Sequence, residues 1–157
     1  MKRLFVAICL VTTLLFAGVV SATTITGTLS VTASVPDSCT VSSATLAFGN
    51  YSIFAGDLDS DAEVTVRCTI STSYRIDLDN GLYYSGSARK MINGSYLLAY
   101  ELYKDVARLM VWGSGPDGES GTGTGVNESH TVYGRIPGSQ SVGVGSYSDT
   151  VMITVNY

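Results

Sequence analysis

The chain has 157 residues, with nine Lys and Arg against thirteen Asp and Glu, one His, and a formal net charge of −4. A chain of this length holds one domain, and an acidic balance without a basic run argues against nucleic acid or an anionic lipid surface as a partner.

Lys2 and Arg3 precede an apolar run from Leu4 to Val20, broken only by Thr12 and Thr13, and Val20-Ser21-Ala22 then supplies small residues. This pattern predicts a secretory signal peptide over residues 1–22. Cys9 would leave with it. Loss of Lys2 and Arg3 from the nine basic residues leaves seven against thirteen acidic, a net charge of about −6. Two cysteines remain, Cys39 and Cys68, and an exported chain with two cysteines is expected to join them. The closed loop of about 30 residues is worth roughly 3 to 4 kcal/mol by chain entropy.

Residues 23–35 read TTITGTLSVTASV. Ile25, Gly27, Leu29, Val31, Ala33 and Val35 alternate without a slip with Thr24, Thr26, Thr28, Ser30, Thr32 and Ser34. Period 2 predicts a strand with one apolar and one hydroxylated face. It is longer than the usual strand of about 5 to 6 residues.

Further strands follow. Leu46 and Phe48 alternate before a turn at Gly49-Asn50. Val64, Val66, Cys68 and Ile70 oppose Glu63, Thr65, Arg67 and Thr69, and Tyr74, Ile76 and Leu78 oppose Arg75, Asp77 and Asp79. Asn80-Gly81 predicts a two-residue hairpin into Leu82-Tyr83-Tyr84. Asn93-Gly94 marks a turn before Tyr96, Leu98, Tyr100 and Leu102. Lys104 to Trp112 fits a helical turn through Val106, Leu109 and Met110, although its strand-rich neighbours favour an extended reading. Residues 113–129, with six glycines, read as a long exposed loop. Pattern resumes at Thr131-Val132-Tyr133 and ends with Val151, Ile153, Val155 and Tyr157 against Met152, Thr154 and Asn156. Seven to nine short strands predict an all-β antiparallel sandwich.

No constellation supports catalysis. His130 reads as a lone surface histidine. Asp57, Asp59, Asp61 and Glu63 resemble the start of a calcium loop, but Ala62 and Cys68 stand where Gly and Glu are needed, so a solvated acidic turn is expected. GTGTG at 121–125 lacks the lysine of a phosphate loop, and the glycosylation sequons at Asn50, Asn93 and Asn127 are of a kind that arises by chance.

The order of motifs resembles the spore coat protein U domain family, found in the subunits of archaic chaperone–usher pili. The matching pieces are LSVTASVPDSCTV at 29–41, LAFGNY at 46–51, VRCTISTSYRIDLDNG at 66–81, YELYKD at 100–105, VWGSG at 111–115, TVYGRIPGSQ at 131–140 and YSDTVMITVNY at 147–157. Two pieces depart from it. Ser141 to Gly145 replaces a proline-containing turn, and Ala107 to Met110 is unusually apolar, as a subunit contact would be.

The resemblance implies an incomplete immunoglobulin-like sandwich completed by a donated N-terminal strand. Residues 23–36 would be the donor segment, using Ile25, Leu29, Val31, Ala33 and Val35, and residues 37–157 the pilin domain. Val151, Ile153, Val155 and Tyr157 would form the strand at the groove edge. The implied partners are other subunits, a periplasmic chaperone that could grip the Tyr157 carboxylate, and an outer-membrane usher. No cofactor, metal, nucleic acid or small-molecule substrate is implied. The implied function is a structural fibre at the cell surface for adhesion and biofilm formation. Two other readings stay open. One is a monomeric secreted coat or matrix protein. The other is a carbohydrate-binding module built from residues 113–129 and some of the ten tyrosines.

Overall fold

Alternation of Val64, Val66 and Cys68 with Thr65 and Arg67 builds the longest strand, and its apolar side faces the core. The computed structural model describes residues 20–157. Most of the segment read as a signal peptide, residues 1–19 with Cys9, lies outside the described residues. The chain divides into two units, Met1–Ser34 and Val35–Tyr157. Within the first, residues 20–34 are exposed and carry no strand pairing.

The second unit has eight strands: β1 (Cys39–Val41), β2 (Leu58–Cys68), β3 (Ser73–Leu78), β4 (Arg89–Asn93), β5 (Tyr96–Tyr103), β6 (Glu119–Thr122), β7 (Glu128–Ile136) and β8 (Ile153–Asn156). They form a five-stranded sheet ordered β1-β2-β7-β5-β4 and a three-stranded sheet ordered β6-β3-β8. Every ladder is antiparallel. Val64, Val66, Ile76, Leu78, Leu98, Trp112 and Ile136 fill the space between the sheets. The Trp112 indole nitrogen donates to the Ile76 carbonyl at 2.9 Å, so the largest core side chain leaves no polar atom unpaired.

Cys39 and Cys68 are joined, with their Cα atoms 4.1 Å apart in register across β1 and β2. The flanking bonds Ser42 N–H to Thr65 and Thr69 N–H to Ser38 make this a non-hydrogen-bonded pair, the closer of the two antiparallel spacings. The bridge marks one pole of the sandwich. β1 starts there, and β2 and β8 end there. β2 starts at the far pole, where β7 ends.

Two expectations are corrected and one is borne out. Asn80-Gly81 does not close a hairpin: β3 lies in one sheet and β4 in the other, so residues 79–88 carry the chain across. Arg89, 1% exposed, holds that crossing. It pairs with Glu101 and donates to the carbonyls of Leu78, Asp79 and Trp112, which compensates its burial. The tight hairpin is instead at Gly94-Ser95, between paired Asn93 and Tyr96, with Gly94 at φ 60° as a type II′ turn requires. Lys104 to Trp112 forms no helix, as its strand-rich neighbours favoured: Asp105 accepts from the Leu109 and Met110 amides, and Val111 bridges back to Tyr103. Residues 113–129 are not a single loop, since they hold a short 3-10 turn at Gly115–Asp117 and strand β6, and β7 already starts at Glu128.

Candidate functional site

The side chains that alternate inward along β2, β5, β7 and β8 do not close over one another everywhere. An open groove of about 440 Å³ runs into the sandwich. Its floor is Ala62, Val64, Leu78, Leu102 and Val132. One wall is Ala44 to Leu46 and Phe48, from the segment after β1. The other is Tyr147 to Val151 and Ile153. Leu46 and Phe48, read from sequence as a strand, form no ladder but turn their half-buried side chains to this groove.

The edge strand β8 lines it through Ile153, and the segment that follows the edge strand β1 forms its opposite wall. β8 is the outer strand of its sheet and β1 of the other. Asp79 N–H donates to the Met152 carbonyl, and Asp77 pairs with Thr154 and Arg75 with Asn156. By the alternation of an antiparallel ladder, the N–H and C=O groups of Ile153 and Val155 point away from β3. The same alternation on β1 turns the backbone of Cys39 and Val41 away from β2. An apolar slot beside the unpaired backbone groups of an edge strand is a site for an added strand.

The predicted site residues fall in distinct places. Val151, Ile153 and Val155 are half-buried on the inner side, with Ile153 in the groove wall, and Tyr157 is exposed at the disulfide pole. Cys39 and Cys68 lie beside the free edge of β1. Ile25, Leu29, Val31, Ala33 and Val35 are exposed, Leu29 at 87% and Val31 at 83%, an unpartnered run of apolar side chains in water.

One end of the groove is polar. Tyr100 donates to Asp149 at 2.7 Å, and Asp149 also accepts from the Leu82 and Thr150 amides. Burial, and then the bond to Asp149, push the Tyr100 hydroxyl far above its usual range. Outside the groove, on the other face of β3, Asp77 accepts from Arg75 at 2.8 Å and from Asn156 of β8 at 2.9 Å. The Arg75 hydrogen bond holds its carboxyl below the usual range. Neither aspartate was legible as a site residue from sequence.

Other candidates resolve structurally. His130 is not a lone surface residue: its ring lies 3.0 Å from Tyr74 Oη and 3.0 Å from Glu119, and so links β7 to β3 and β6. The acidic run is not a turn but the start of β2. Asp59 takes two bonds from Arg135, which hold its carboxyl below the usual range, and Asp61 pairs with Arg108 at 2.8 Å. No cluster of metal-binding side chains occurs among the described residues.

Residues 25–154 match the Spore Coat Protein U domain. Protein U of Myxococcus xanthus is 34% identical over 159 aligned positions, covering 87% of each chain. A solved chain of the CsuC–CsuE chaperone–tip adhesion subunit pre-assembly complex, from the archaic chaperone-usher Csu pili of Acinetobacter baumannii, superposes with a TM-score of 0.55 at 23% identity. The match covers 78% of this chain but 40% of that one. The P pilus rod subunit PapA superposes with a TM-score of 0.53 at 19% identity, over 76% of this chain and 98% of its own. Both superpositions support the antiparallel, immunoglobulin-like sandwich fold. By the match over residues 25–154, the chain belongs to the Spore Coat Protein U domain family.

Proposed function

We propose that this chain is a structural subunit of a surface fibre, exported by a signal peptide over residues 1–22 and polymerised by strand donation. Residues 23–36 would complete the groove of another copy, and residues 37–157 would form the acceptor domain. The observation that carries the reading is the apolar groove beside the free edge of β8, in a chain that also bears an exposed N-terminal segment of alternating apolar side chains.

Chain reach supports donation between molecules. Since every ladder here is antiparallel, an added strand is expected to run antiparallel to β8. Its last residue, Val35, would then lie toward the far pole. Leu29 to Val35 span about 20 Å as a strand. The steps from Val35 to Cys39, which starts at the disulfide pole, reach at most about 14 Å. A chain cannot fill its own groove in that sense, but it can fill a neighbour's. Full burial of Leu29, Val31 and Val35 contributes roughly 1.5 to 3 kcal/mol each, and each new backbone bond roughly 0.5 to 1.5 kcal/mol.

A dedicated periplasmic chaperone would cover the groove before assembly, and an outer-membrane usher would exchange it for the next subunit. One structural neighbour is by name a subunit held by its chaperone in an archaic chaperone-usher pilus system, and the other is a pilus rod subunit. The role is structural, with no catalytic step. A self-contained coat protein is the second reading, favoured by the spore-coat description of the matching family.

The test compares residues 23–157 with the same chain lacking 23–35, each mixed with a peptide of residues 23–36. Capture of the peptide by the truncated chain, in a complex that survives SDS without boiling, supports donation. A truncated chain that is a stable monomer and ignores the peptide supports the coat protein.

A further inference from the structure

Phe54 has the most exposed aromatic side chain of the described residues, at 95%. It stands in a turn closed by the Ala55 amide on the Ser52 carbonyl, just ahead of β2 and hence at the far pole. Ile53 lies next to it, partly exposed. Among the described residues, nothing covers the ring.

The disulfide pole carries a concave feature. A cleft of about 600 Å³ is lined by Val35, Asp37, Arg67, Thr69, Ile70 and Gly125. Ile70 is 75% exposed although it continues the inward alternation of Val64, Val66 and Cys68, because β2 ends at Cys68 and the chain turns. Arg67 Nε donates to the Gly125 carbonyl at 2.9 Å, which fixes its guanidinium at the cleft. A fixed guanidinium beside aliphatic carbons suits an aromatic ring.

We propose that Phe54 of one copy seats in the disulfide-pole cleft of the copy whose strand it receives. This rests on the strand-donation reading. The donor leaves its own domain at Val35, on the rim of the cleft. Inserted antiparallel to β8, it runs toward the acceptor's far pole, so Val35 arrives there with the cleft behind it. Only the three residues 36–38 separate Val35 from β1. That short tether brings the donor's disulfide pole against the acceptor's far pole, where Phe54 projects. Knob and cleft then meet once per junction, a heterologous contact that continues the groove interface.

The test uses the full chain carrying Phe54→Cys with Ile70→Cys, assembled into fibres, oxidised, then boiled in SDS without reductant. The expected result is a ladder of covalent multimers. A control pair, Phe54→Cys with Thr65→Cys on the middle of β2, should give monomers. Fibres that form but yield no ladder overturn the proposal and leave donation standing. Failure of the truncated chain to capture the 23–36 peptide overturns both. Phe54→Ser provides a second measurement: peptide capture stays unchanged, while fibres break down about tenfold faster in hot SDS. An unchanged fibre lifetime overturns the contact.

Discussion

Tyr100 and Asp149 join the middle strands of the larger sheet to the segment that leads into β8, through a 2.7 Å hydrogen bond at the polar end of the groove. Asp149 also receives the Leu82 amide from the crossing between the sheets. Tyr100→Phe removes a bond to a charged acceptor and should cost about 1.5 to 3 kcal/mol. Asp149→Ala should cost more, since three donors lose their acceptor. Urea unfolding of the domain checks both, and equal stability for the two variants would dismiss the linkage.

Leu29→Asp and Val31→Asp each place a charge on the apolar side of the exposed strand. Both should abolish self-assembly and leave the folded domain intact, because these side chains are solvated in the isolated chain. Size exclusion of the variants, with circular dichroism as the control for folding, reads the outcome. Variants that still polymerise would remove this segment from the assembly.

Cys68→Ser should lower stability by roughly 2 to 5 kcal/mol and reduce the yield of exported protein. The bridge ties β1 to β2 at the free edge, where no neighbouring strand shares the load. Melting with and without reductant measures the effect on the native chain. Identical melting curves would show that the bridge is dispensable.

Asp77 makes an acid-sensitive tie to β8. Its carboxyl titrates lower in the fold than in the unfolded chain, chiefly through Arg75 and with help from Asn156. A depressed carboxylate contributes stability that is fully present above its unfolded value, near pH 4, and is lost as pH falls through the folded value. Stability should therefore hold from neutrality down to about pH 5 and decline below about pH 4. Asp77→Asn should be less stable at neutrality and show a shallower acid decline. Urea midpoints at neutral and acid pH decide this, and parallel pH profiles would reject the role.

The core faces were legible because period 2 survives in β2, β3 and β5: Val64, Val66, Tyr74, Ile76, Leu98 and Tyr100 are all buried. Asn80-Gly81 signalled a turn, but a turn signal does not say which sheet the chain enters next. β6 was hidden in glycine. Gly121 is there because the Tyr74 ring occupies the space of a Cβ, which would lie 2.4 Å from it, and not because the segment is loose. Arg89 and Asp149 carry no local pattern, and the partners that define them lie up to 67 residues away. The groove itself followed from the family resemblance, because an unpaired edge has the same period as a paired one.

β1 begins at the pole where β8 ends, and this gives assembly an arrow. Under strand donation, every junction points the same way along the filament. The two tips of such a filament differ chemically: one shows a vacant slot and the other a loose tail. Elongation can be halted at the vacant tip by any molecule that supplies a strand and offers no slot of its own. Length control then becomes a question of how scarce that terminator is, separate from the strength of the junctions between identical copies.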